Sequence, residues 1–215
     1  MLLVLALLVF AGSLLMRWFW ISNIGVSGIS MMPNYKGDRG NNDVVWVNRT
    51  ITPVRGDVVV FYSNTTLSRW DKFKGEFATG KDVQAGGKYE KYIKRVVAVE
   101  GDSIWWEKVD DKRAVLVIKT ADGTILHENE GDNVYYRNGQ QAQFYETLNG
   151  ETTTVPYFQT PIKDNKLFEH SSEETAFTIP KNYVFVMGDN RYVSSDSRSF
   201  GAVYLQKLYG VVINP

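Results

Sequence analysis

The sequence predicts an all-β protein of mainly antiparallel sheets, preceded by one N-terminal apolar helix. Three observations carry the prediction. From Asn23 onward short β-branched runs recur between Gly, Asp and Pro turn signals. Helical periodicity is weak throughout that region. The first sixteen residues, in contrast, contain no charged side chain and are apolar all round, as a membrane or targeting segment is and an amphipathic core helix is not.

Residues 1–22 are expected to be a membrane anchor. The span reaches the required length of about 20 residues if Arg17 snorkels to the boundary, with Trp18, Phe19 and Trp20 as an interfacial belt. A cleaved signal peptide is the alternative, although neither a basic leading segment nor a small-x-small site accompanies the run. Residues 23–108 form the first part of a core. Within it Asp43 to Val47 and the run Arg55 to Tyr62, opened by a Gly-Asp turn, read as strands separated by a turn near Pro53, and the polar, Gly-rich stretch 64–91 reads as an exposed hairpin or mobile loop. Tyr92 to Val99 is a buried strand, ended by Glu100-Gly101-Asp102, and Ser103 to Trp106 begins another. Ala121-Asp122-Gly123 marks a hairpin between Arg113–Ile118 and Thr124–His127. Residues 109–174 are more polar, with scattered tyrosines, and are expected to be an inserted β subdomain with a small aromatic core. The core resumes over 175–215, with Tyr183 to Met187 and Leu208 to Ile213 as strands.

Charge and composition narrow the chemistry. Lys plus Arg and Asp plus Glu are both 24, so no global charge argues for nucleic acid. No basic stripe, phosphate loop or zinc motif is present, and His127 and His170 lack metal-ligand spacing. The expectation is a protein without metal or cofactor. With no cysteine and two histidines, a thiol nucleophile is impossible and a Ser-His-Asp triad has few bases available. Lysine is the other partner for a serine, provided burial lowers its pKa from about 10.4 toward neutrality. Lys94 lies in the apolar run Tyr92-Ile93-Lys94-Arg95-Val96-Val97, whose side chains can desolvate an ammonium. Taken singly, Lys94 also suits an edge-strand charge, and Ser30, in Gly28-Ile29-Ser30-Met31-Met32-Pro33, also suits a bend.

Four segments together resemble the bacterial type I signal peptidases, the Ser/Lys membrane proteases. These are Ser30-Met31-Met32-Pro33, the strand box Arg55 to Phe61, the lysine box Tyr92 to Val97 with Gly101-Asp102, and Gly188-Asp189-Asn190-Arg191 through Ser194, Asp196, Ser197, Arg198 and Gly201. They occur in family order behind the apolar segment. The resemblance implies a signal-peptidase-like fold with Ser30 as nucleophile, Lys94 as general base and Ser194 orienting the lysine. The Ser30 backbone N–H would serve the oxyanion. Gly28 stands where some family members place an assisting serine, which leaves the second donor open. Asp196 and Arg198 would form a supporting ion pair, with Arg95, Asp189, Asn190 and Arg191 shaping the surroundings. Tyr192 and Val193 depart from the family pattern.

The same resemblance places Ile24, Val26, Ser27, Met31, Tyr35, Tyr92 and Ile93 along the substrate pockets, with Tyr35 narrowing the first. Plain core packing is an equal reading for any one of them. The implied partners are preproteins with signal peptides carrying small residues at positions one and three before the cut, and the lipid bilayer. The implied location is the cell membrane, single-pass, with the catalytic domain extracytoplasmic. Two rivals stand beside this reading: a self-cleaving Ser/Lys repressor, disfavoured by the absence of a helical DNA-binding domain, and a non-catalytic assembly factor or chaperone for surface fibres.

Overall fold

A computed structural model describes residues 20–37, 42–62, 91–111, 113–128, 134–148, 151–155, 160–161 and 171–213, with the single residues 12 and 40. Most of the expected anchor 1–22, nearly all of the expected loop 64–91, and His170 lie outside the described residues. Among the described residues no helix is long and apolar enough to cross a membrane.

In chain order the strands are β1 (Ile21–Gly25), β2 (Val44–Asn48), β3 (Val58–Tyr62), β4 (Lys91–Ala98), β5 (Ser103–Lys108) and β6 (Arg113–Lys119). Then follow β7 (Ile125–His127), β8 (Tyr136–Arg137), β9 (Gln140–Gln141), β10 (Phe144–Leu148) and β11 (Glu151–Val155). The series ends with β12 (Thr160–Pro161), β13 (Phe177–Thr178), β14 (Tyr183–Met187), β15 (Val203–Tyr204) and β16 (Leu208–Val212). One short helix, α1 (Ser197–Phe200), precedes β15. Every pairing among the described strands is antiparallel.

The larger sheet has the order β1-β2-β16-β3-β4-β14-β15, so the last long strand inserts between β2 and β3. The second sheet runs β12-β6-β5-β13, with β7 on β6. Alternation is clean in β2, where Val45 and Val47 are buried while Val44 and Trp46 face outward. In contrast, β4 is buried continuously from Ile93 to Ala98, because it is central in its sheet and covered on both faces. The chain passes from the first sheet to the second through a tight turn at Glu100-Gly101-Asp102. Gly101 there has φ +84°, a left-handed conformation that a side chain disfavours. Asp102 accepts from Val99 N–H at 2.8 Å and from the Arg55 guanidinium at 3.1 Å.

The 109–174 limits drawn from composition do not coincide with the second sheet. Its strands start at Ser103 and take in Phe177–Thr178. Of the described aromatics of that region, two are buried in a shared core. Tyr135 and Phe144 pack in one buried cluster with Trp106, Leu116 and Ile118 of the second sheet and with Val97, Ala98, Phe185 and Met187 of the first. Composition reported the polar exterior of this segment, whereas its few buried aromatics joined the nearest larger core. Because Phe185 sits where the sheets share that core, Phe185→Ala is expected to cost about 3–5 kcal/mol. Near-UV and far-UV circular dichroism should then report one coincident, lowered transition.

Candidate active site

Ser30 lies in the turn that leaves β1. Gly28 opens this turn at φ +84°, and its N–H donates to Gly37 O at 2.8 Å. Gly37 must itself lack a side chain, since a Cβ there would stand 2.2 Å from Gly28 O. The turn closes through Tyr35 N–H to Met31 O at 2.9 Å, and its other flank is fixed by Asn190 N–H to Ser30 O at 2.9 Å. Among the described residues the Ser30 N–H has no partner, so it is free to serve a developing oxyanion.

Lys94 projects from the middle of β4 and is 4% exposed. Its Nζ donates hydrogen bonds of 2.8 Å to Ser30 Oγ and 2.8 Å to the Ile93 carbonyl. Burial lowers its pKa from 10.5 to about 8, against the smaller pull of the Asp196 and Asp189 carboxylates, while the Arg198 charge lowers it further. The reason burial wins is visible in the pairing of its neighbours. Asp189 receives Arg95 Nε at 2.8 Å and NH2 at 2.7 Å, with both side chains fully buried. Asp196 receives Arg198 Nε at 2.8 Å and NH2 at 2.9 Å, and caps α1 through Arg198 N–H. Arg191 is bound to both oxygens of Glu128. Each buried carboxylate already holds an arginine, so Lys94 has no carboxylate at contact distance among the described residues.

These pairs also hold the segment 188–198 in place. Arg191 Nε donates to Gly188 O at 2.8 Å, Gly188 N–H donates to Asp196 at 3.0 Å, and Arg198 NH2 donates to Arg191 O at 2.9 Å. Burial would raise the Asp196 carboxyl, but the Arg198 charge and hydrogen bond, helped by Gly188 N–H, outweigh it and keep the carboxyl below its ordinary range. Burial likewise would lower the Arg95 guanidinium, and Asp189 more than offsets this. At Gly188 an added Cβ would come within 2.5 Å of both Ser30 O and Ser194 Cβ. Glycine is required there by the close approach, rather than by an unusual φ.

Several expected positions move. Ser194 Oγ is buried and has no hydrogen-bond partner among the described residues, so the expected bond from Ser194 to Lys94 is not formed there. It lies near enough to Asp196 to favour the carboxylate weakly without reaching bonding geometry. A cleft of about 330 Å³ runs from Ser30 and is lined by the expected Ile24, Val26, Ser27, Tyr92 and Ile93. Met31 and Tyr35 are not on its wall. Both are fully buried in the cluster with Val45, Val47 and Val58, because the turn after Ser30 folds them beneath the sheet surface. Tyr35 therefore cannot narrow the first pocket; its ring packs under the Arg137 guanidinium at 3.9 Å. The remaining lining, Gly25, Val60, Lys91, Val193 and Ser195, was not picked out from sequence, although Gly25 and Lys91 directly flank residues that were.

Two further supports went unread. Glu128 lies in the polar region, and its only sequence signal is its place after the β7 hairpin strand. Asn34 donates to Asp189 at 2.8 Å and to Gln143 O at 2.8 Å, and accepts from Gln143 N–H at 2.9 Å, which ties the serine turn to the second half of the chain. Among the described residues no three acidic or histidine side chains are grouped to hold a metal ion.

The site thus places a serine hydroxyl against a buried amine that has no carboxylate at contact distance among the described residues, on an antiparallel β scaffold beside a cleft. Residues 1–215 match the family described as "Signal peptidase, peptidase S26", and the chain belongs to that family. Signal peptidase I of Bacillus caldolyticus is 26% identical over 203 residues, covering 92% of this chain and 80% of that protein. That of Aquifex aeolicus is 26% identical over 190 residues, covering 78% and 66%, and signal peptidase I S of Bacillus subtilis is 26% identical over 198, covering 91% and 76%. A solved signal peptidase I from Enterococcus faecalis overlays at 22% identity, covering 75% of this chain and 97% of that one, with a TM-score of only 0.35.

Two measurements check the electrostatics. Asp189→Ala strands the Arg95 charge in the interior and should cost about 3–5 kcal/mol by denaturant unfolding. For Lys94 the folded pKa of about 8 lies below the ordinary 10.5, so between those values the unfolded chain binds more protons and stability rises with pH. Lys94→Met should remove that slope and gain up to about 3 kcal/mol below pH 8.

Proposed function

We propose that this chain is a membrane-anchored serine endopeptidase that removes N-terminal signal peptides from exported preproteins with a Ser30/Lys94 dyad. The observation that carries the reading is the 2.8 Å contact between Lys94 Nζ and Ser30 Oγ in a site whose burial lowers the lysine pKa to about 8. Membership of a signal peptidase family supports the substrate class.

In this reading the deprotonated Lys94 accepts the hydroxyl proton as Ser30 Oγ bonds to the scissile carbonyl carbon. The oxyanion is met by the Ser30 N–H. Collapse of the tetrahedral intermediate breaks the C–N bond, and the Lys94 ammonium returns the proton to the leaving amine. Lys94, neutral again, then takes a proton from the water that attacks the acyl carbon, and as the C–O bond to Ser30 breaks it returns that proton to Ser30 Oγ. Ser194 would orient the lysine after a rotation of its unpartnered hydroxyl, with Asp196, Arg198, Asp189, Asn190, Arg191 and Arg95 holding the segment around it. Small substrate residues at positions one and three before the cut suit a cleft walled by Ile24, Val26 and Ile93. The anchor would be a single pass within residues 1–22, with the catalytic region extracytoplasmic and the cleft near the bilayer. The non-catalytic assembly-factor reading leaves both the contact and the lowered lysine unexplained.

Incubation of the purified chain with a signal-peptide-bearing preprotein should give one cut at the end of the signal peptide. Ser30→Ala and Lys94→Ala should each lower kcat by about 10³-fold or more while leaving the fold intact. Cleavage by Lys94→Ala at the wild-type rate would refute the dyad. The kcat/KM of the wild type should rise with pH through about 8 as Lys94 loses its proton, and a flat profile would remove it as the base.

A further inference from the structure

The cleft lined by Ser30 and Lys94 also takes in a second lysine, Lys91. Lys91 begins β4, three residues before Lys94, which is about 10 Å along an extended strand. Lys94 and Lys91 are the only charged side chains lining the cleft among the described residues, and they are held in opposite ways. Lys94 is buried, whereas Lys91 is exposed, with its ammonium 3.7 Å from the centre of the Tyr209 ring. The same ring carries a second cation, the Arg49 guanidinium, at 4.3 Å, and Arg49 also donates to Tyr209 Oη. Ser22 Oγ reaches that oxygen at 2.9 Å, and Tyr62 adds its ring edge-on to Tyr209.

Two cations sharing one ring repel each other, and among the described residues no carboxylate pairs with either. The aromatic face offsets part of that repulsion and fixes the direction of both charges. Their field is felt by Tyr209 itself. Burial would raise its phenol, but the hydrogen bonds from Ser22 and Arg49 and the charges of Lys91 and Arg49 lower it instead. Ile24, Val60 and Ile93, also on the cleft wall, offer neither charge nor counterion.

We propose that Lys91, backed by Arg49 on the Tyr209 ring, forms an anion-selecting subsite of the cleft, so that a bound extended peptide favours Asp or Glu over Lys or Arg about three to five residues from the scissile bond. This rests on the peptidase reading for the identity of the occupant. The chemistry is a carboxylate meeting a preset cationic pair, and because both cations are solvent-facing the preference depends on salt.

The test uses the full chain with Ser30→Ala, which binds without cutting, and labelled peptides identical except for Asp, Ala or Lys at each of those positions. The Asp peptides are expected to bind about five- to tenfold more tightly than the Lys peptides at low ionic strength, with the gap closing near 0.5 M salt. Lys91→Gln should shrink the gap, and Lys91→Glu should invert it. Equal affinities in the Ser30→Ala protein, or a gap untouched by either substitution, would overturn the proposal. So would a result in which Lys91→Glu changes only co-sedimentation with anionic phospholipid vesicles, because the cations would then serve lipid phosphate. Parallel assays of wild type separate the two readings. Peptides bound with the charge preference but never cut would sink the peptidase reading alone; peptides cut at rates indifferent to charge would sink this subsite alone.

Discussion

An ammonium group taken out of water must find a counterion or give up its proton, and at Lys94 the surrounding carboxylates are already committed. Asp189 is occupied by Arg95, Asp196 by Arg198 and Glu128 by Arg191. Among the described residues the lysine's hydrogen-bond partners are the Ile93 carbonyl and Ser30 Oγ. Arginine, whose guanidinium stays charged even when buried, is what makes this division possible. Had a lysine stood at position 95, one of the carboxylates would have been free to hold Lys94 protonated.

The rest of the architecture keeps those partners apart and the serine close. Strand β4, central and covered on both faces, fixes the depth of Lys94. The neighbouring β14 ends at Gly188, where the missing side chain lets the following segment lie against Ser30 and Ser194. Asn34 and Glu128 bring two further stretches of chain to the same knot. The second sheet therefore contributes to the site through Glu128, as well as through the apolar cluster that it shares with the first.

The strands were legible because they are short, β-branched and punctuated by Gly and Asp, whereas Ser30 and Lys94 were singled out by the resemblance of their segments to the signal peptidases, since each taken singly also suits a bend or an edge-strand charge. What sequence alone could not supply was which face a side chain takes and what meets it. Met31 and Tyr35 follow the serine closely, yet the turn sends them into the core instead of the cleft. Val60 and Lys91 line the cleft because β3 and β4 are neighbours, a pairing between residues that are distant in the chain. Glu128 is an acidic residue in a polar region, and only the fold buries it. For Ser194 the resemblance implied a bond to the lysine, whereas its hydroxyl is unpartnered among the described residues.

Catalysis by the dyad requires Lys94 to lose its proton near pH 8, well below the ordinary 10.5, because it is buried with no carboxylate at contact distance among the described residues. Its side chain can be followed directly by NMR, with selective 13C labelling at Cε and assignment by comparison with Lys94→Met. A titration midpoint close to 8 is the expected result. A midpoint near the ordinary 10.5 would show that the site tolerates the ammonium, and the proposed base would be lost.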